Sequence, residues 1–173
     1  ANITGTTMSM CAGMDTLSFS TPSDPFATFY TWTVDAALDF ISGQNTTTIM
    51  VSGSTPGTYM ITAQAVNSTC SFSGALDTIM ITINANPTVT MSTMSMVCLD
   101  DGAVALSGSP AGGTFSGTAV TGASFSPSTA GSGTYILTYN YTDSLGCSGM
   151  DTASITVDPC LGVSSIPAGT VVV

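Results

Sequence analysis

"GTYMITAQAV" occupies residues 57–66 and "GTYILTYNYT" residues 133–142. In the second, Tyr135, Leu137 and Tyr139 recur at every second position with Thr134, Thr138 and Asn140 on the other face, the pattern of a strand with one face buried. A cysteine follows each stretch, Cys70 or Cys147. An Asp-Thr pair then opens a further alternating run, "TIMITI" from Thr78 or "TASITV" from Thr152. Ile79, Ile81 and Ile83 share one face of the first run, and Ala153, Ile155 and Val157 one face of the second. The chain writes the same strand–turn–strand sentence twice.

Working outward, "TTMSMCAGMDTLSFS" from Thr6 matches "STMSMVCLDDGAVALSG" from Ser92. The repeat divides the chain into residues 1–86, residues 87–158 and a linker or tail at 159–173. Tyr30, Trp32 and Val34 alternate with threonines in "FYTWTV". No segment shows an apolar stripe of helical period. Clusters such as "SGSTPG" and "SGSPAGG" punctuate the runs as turns. The expected fold is all-β: two tandem immunoglobulin-like β-sandwich domains joined at Asn86-Pro87.

Composition narrows function. The 173 residues include ten Asp but no Glu, Lys, Arg or His, for a net charge of −10, and 43% are hydrophobic. Without cations the chain cannot displace counterions from nucleic-acid phosphates. Catalytic arrangements that use His or Lys as base are excluded. No apolar run approaches the roughly 20 residues of a membrane helix. The start at Ala1 reads as a mature protein or an excised fragment.

"YTWTVDAALDFISGQNTTTIMVSGSTPGTYMITAQAVNSTC" resembles the PKD-like, immunoglobulin-like modules of large secreted proteins in Bacteroidota, and "GGTFSGTAVTGASFSPSTAGSGTYILTYNYTDSLGC" looks like a sister module. The tail "VDPCLGVSSIPAGTVVV" is similar to linkers that precede a type IX secretion sorting domain. The resemblance implies an extracellular or cell-surface location. It also implies O-glycans at Asp-(Ser/Thr)-apolar sites, here on Thr16, Thr78, Ser144 and Thr152. Alternation turns Thr16, Thr78 and Thr152 to solvent, while Ser144 lies in a turn. The Asn-x-Ser/Thr sites at Asn2, Asn45, Asn67 and Asn140 are the lesser targets in a bacterial protein.

Aligning the repeats sets Cys11 opposite Cys98 and Cys70 opposite Cys147. The economical reading is one disulfide per module, Cys11–Cys70 and Cys98–Cys147, with Cys160 outside both. Such bonds suit an oxidising compartment. A metal site of cysteines is disfavoured, because there is no Cys-x-x-Cys spacing and no His. Adjacent Asp100 and Asp101 form a weak calcium candidate against the plainer reading of a solvated turn, as do Asp35 and Asp39. No cofactor is expected. Glycosidase-like carboxylate pairs need a deep cleft that no insertion supplies. Asp-Thr here continues with Leu, Ile or Ala rather than the Gly of aspartic proteases.

Trp32 is expected in the core rather than as a sugar-stacking platform. Met50, Met60 and Met80 fall on the outward faces of their strands. They read as a packing surface for self-association or for neighbouring modules in a fibre. They are also positions where lysine, a side chain of similar length, would be ordinary, and ten lysines at the ten methionines would cancel the charge. The expected function is a non-catalytic stalk or repeat segment of a secreted adhesin or filament. The alternatives are a glycan- or protein-binding module using loops such as "SGSPAGG", and an accessory domain of a secreted enzyme.

Overall fold

Residues 57–66 become the middle of a five-stranded sheet. The computed structural model describes residues 3–5, 8–13, 16–93 and 95–160. The expected tail at 159–173 lies, from residue 161 on, outside the described residues. Two compact units divide the chain: Ala1–Asn86 with Asp143–Cys147, and Pro87–Thr142 with the residues from Ser148 on.

The first repeat contains β1 (Thr4–Gly5), β2 (Ser9–Cys11), β3 (Leu17–Ser20), β4 (Phe29–Val34), β5 (Asp39–Ser42), β6 (Thr48–Ser52), β7 (Gly57–Asn67), β8 (Phe72–Ser73) and β9 (Asp77–Asn84). They form two sheets, β1-β3-β6-β5 and β2-β9-β7-β4, with β8 added to β7. The first strand is thus shared between the sheets. β1 pairs antiparallel with β3, and β2 runs parallel to β9, with Cys11 opposite Asn84. Alternation fills the space between: Phe19, Trp32, Ile49, Val51, Ile61 and Ile81 are all buried. A one-residue slip of β7 against β9 would send its inward set to solvent, so the register is strongly specified.

The second repeat contains β10 (Thr90–Ser92), β11 (Met96–Cys98), β12 (Val104–Ala105), β13 (Ser107–Ser109), β14 (Thr114–Ser116), β15 (Val120–Thr121), β16 (Ser124–Phe125), the one-turn helix α1 (Pro127–Ala130), β17 (Gly133–Thr142) and β18 (Ser148–Asp158). β10 pairs with β13, while β11 runs parallel to β18 in the sheet β11-β18-β17-β14. Val97, Phe125, Leu137, Tyr139, Ile155 and Val157 make its core. The fold is two tandem immunoglobulin-like sandwiches.

The repeated "GTY" has a structural cause. The Tyr59 hydroxyl donates to the Thr55 carbonyl at 2.9 Å, and that of Tyr135 to the Ala130 and Gly131 carbonyls. Each ring pins the start of its strand to the turn just upstream, the tyrosine corner of immunoglobulin-like sandwiches. The preceding glycine makes room: a Cβ on Gly57 would stand 2.8 Å from the Tyr59 hydroxyl oxygen.

The disulfides differ from the expected pairs. Cys11 is bonded to Cys147 and Cys98 to Cys160, and Cys70 is an exposed free thiol. The reason is the length of the strands. Cys11 lies opposite Asn84, beside the Gly57 end of β7, whereas Cys70 lies beyond Asn67 at the other end. Ten residues of strand separate those ends by about 33 Å, against the 4.4–6.8 Å that a disulfide spans between Cα atoms. Cys98 and Cys147 likewise flank opposite ends of β17. Cys160, expected outside both bonds, instead follows the register partner of Cys98, Asp158, by two residues and closes on it.

Candidate functional site

Most of the described aspartates are bonded to the backbone. Asp77 accepts the N–H of Ile3 through Oδ2 and of Thr78 through Oδ1, at 3.0 Å for the latter. Its counterpart Asp151 accepts the N–H of Met91 and of Thr152, both at 2.8 Å. Asp77 and Asp151 therefore each clamp the incoming first strand of their repeat. Sequence reading saw the Asp-Thr pair recur but assigned significance to its hydroxyl alone.

Several further acids show the same use. Asp143 takes the N–H groups of Leu145 and Cys147, Asp24 that of Phe26, Asp35 that of Ala37, and Asp158 that of Cys160. Of the calcium candidates, Asp101 accepts the Cys98 N–H at 2.7 Å while its own N–H donates to the Cys98 carbonyl at 3.1 Å, which makes it part of a closed turn. Asp100 beside it is exposed. Among the described residues no three His, Cys, Asp or Glu side chains gather as metal ligands would.

The four hydroxyls proposed for sugar, on Thr16, Thr78, Ser144 and Thr152, are all exposed. Asp15, beside Thr16, lies outside the described residues. Trp32 sits in the core at 4% exposure, its indole N–H donating to the Thr46 carbonyl at 2.8 Å. It is not a surface platform. The loop "SGSPAGG", offered as a binding loop, is anchored on a core residue. The buried Tyr139 hydroxyl donates to the Pro110 carbonyl at 2.6 Å and accepts the Gly113 N–H at 2.8 Å. A Cβ on Gly108 would come within 2.4 Å of the Tyr139 ring.

Two surface features remain. Met60 and Met80 are cross-strand neighbours on the outward face of β7 and β9, exposed by 49% and 52%, and Met50 is exposed on β6. On the first unit, a groove of about 430 Å³ is lined by Pro22, Asp24, Pro25, Phe26, Ala65 and Gly74 among others. Phe26 and Phe72, at 76% and 61% exposure, border its neighbour.

Residues 1–81 match the family model described as PKD-like domain. No curated protein matches the chain by sequence. Among solved structures, the chain is similar to the C-terminal 282-residue fragment of intimin in complex with the intimin-binding domain of the translocated intimin receptor. That likeness has 15% identity, a TM-score of 0.44, and 90% of this chain covered. The chain spans 63% of that fragment. It is also similar to the fibronectin(III)-like modules of Clostridium thermocellum CbhA, at 18% identity and a TM-score of 0.37, covering 92% of this chain and 96% of that one.

Proposed function

We propose that the chain is a non-catalytic repeat segment, the stalk or fibre part of an adhesin or filament secreted to the cell surface through the type IX route of Bacteroidota. One observation carries the reading. The acids Asp24, Asp35, Asp77, Asp101, Asp143, Asp151 and Asp158 each accept a backbone N–H at a turn or strand end. In a chain without His, Lys, Arg or Glu, the groups best suited to proton transfer are committed to holding loops. The disulfides agree with an oxidising, extracellular setting, and among the described residues no helix is long and apolar enough to cross a membrane.

Part of this reading is modification: O-glycans on Thr16, Thr78, Ser144 and Thr152, hydrating a surface without charges of mixed sign. Glycopeptide mass spectrometry of natively secreted material should find sugar at these positions, and bare hydroxyls at all four would refute it.

The groove beside Phe26 favours a second reading, a glycan- or protein-binding module. A glycan array and a panel of hydrolase substrates separate the two. A stalk segment gives neither saturable binding nor turnover. Binding that Phe26→Ala abolishes would replace the stalk reading with the second.

A further inference from the structure

Cys70 and Cys147 hold the same place in the two repeats, in the turn that follows the "GTY" strand. Each turn is organised by one side-chain oxygen. Asn67 Oδ1 accepts the N–H groups of Thr69 and Cys70 at 3.0 and 3.1 Å; Asp143 Oδ1 accepts those of Leu145 and Cys147, both at 2.9 Å. Their fates differ. Cys147 is wholly buried and bonded to Cys11, the strand-end cysteine one repeat earlier in the sequence, whereas Cys70 is exposed and reduced.

The strand-end cysteines explain the difference. Cys98 lies opposite Asp158, and two residues on stands Cys160, to which it is bonded. Cys11 lies opposite Asn84, and two residues on stands Asn86, whose amide donates to the Ala12 carbonyl at 3.0 Å and offers no sulfur. A strand-end cysteine with its own mate closes within its repeat. One that meets Asn instead takes the turn cysteine of the following repeat.

The geometry points to Cys70 as the covalent docking point for a preceding module of this class, one that carries a cysteine at the end of its second strand and no mate beyond its last. The inference rests on the repeat-segment reading above. Phe26 and Phe72, exposed next to this turn, supply apolar surface for the contact; the Asn67 amide, which caps the turn, also donates to the Phe26 carbonyl. The bond forms by two exchanges with an external small-molecule disulfide. The Cys70 thiolate attacks it and expels one thiolate, and the partner's thiolate then displaces the second. The two protons lost by the cysteines end on the two released thiols, so the external disulfide is the oxidant.

The partner cysteine comes from an upstream repeat of the same polypeptide or from a second molecule, and gels distinguish these. Natively secreted material is alkylated with iodoacetamide without reduction, digested and mapped. The expected result is an unalkylated Cys70 in a linked peptide pair with a strand-end cysteine. Equal mass on reducing and non-reducing gels assigns the bond to one polypeptide, and multiples of the mass assign it to a second molecule. Cys70→Ser removes the linked pair and leaves the melting temperature of the isolated chain unchanged. Alkylated Cys70, or a symmetric Cys70–Cys70 pair, overturns the inference. Neither outcome touches the stalk reading, which the glycan and hydrolase panels decide.

Discussion

The Asp151 carboxylate accepts the backbone N–H of Met91 at 2.8 Å across 60 residues of chain, and Asp77 does the same for Ile3. Both acids also cap the threonine that follows them, so each ties the entry of a repeat to its last strand. Removing one partner of such a charge-assisted bond costs about 1–3 kcal/mol. Asp151→Ala and Asp77→Ala are each expected to lower unfolding stability by that amount in urea titrations. Asp100→Ala, for which the structure shows no bond, should serve as the silent control.

Tyr139→Phe is expected to destabilise the second unit by about 1–3 kcal/mol, because the Gly113 N–H and the Pro110 carbonyl both lose their partner. Tyr59→Phe should cost less, about 1 kcal/mol, since its hydroxyl makes an exposed contact with the Thr55 carbonyl. Parallel denaturant curves of the two variants would check the order.

The disulfides are expected to be unequal to the free thiol. In the chain-entropy model, losing Cys98–Cys160, with a sequence separation of 62, costs about 4 kcal/mol, and losing Cys11–Cys147, with a separation of 136, about 5 kcal/mol. Cys70→Ser should cost nothing measurable. Calorimetry of Cys160→Ser, Cys147→Ser and Cys70→Ser tests the ranking.

Met60→Lys with Met80→Lys should leave folding intact, because both side chains point to solvent. If this face packs against a neighbour in a fibre, the pair should lower self-association at high concentration, read by light scattering. Unchanged scattering would remove the face from the proposal. Thr78 and Met80 share the outward face of β9, so a sugar at Thr78 would cover the same surface. Glycosylated material should therefore behave as the lysine variant does.

Much of the fold could be read from residues 29–34 and 57–83. Period-two alternation gave the strands, the inward Trp32 and the outward Met60 and Met80, because side-chain direction along a strand is a local property. The disulfides were not legible. Repeat alignment shows that Cys70 and Cys147 are equivalent, which says nothing about what either one touches, and the strand between Cys11 and Cys70 holds them apart. The clamping role of the acids was not legible for a related reason: the partners of Asp77 and Asp151 lie many residues upstream, where only the topology brings them close. Tyr59 and Tyr135 were visible as a recurring motif, but their hydroxyls act on turns that the pattern of burial does not mark.

The bond between Cys11 and Cys147 has a mechanical consequence. Tension applied along the chain reaches Cys11, crosses the sulfur bridge to Cys147 and continues down β18 toward Cys160, so the 136-residue span between the bridged cysteines is taken out of the loaded path. β18 is a strand already drawn out to about 3.4 Å per residue, and has almost no slack to give. Strands β3 to β17 lie off the loaded path, while β18, which places Ile155 and Val157 in the second core, carries it. Under a reducing solvent the bypass opens, and the same force would then find two sandwiches to unravel, one after the other.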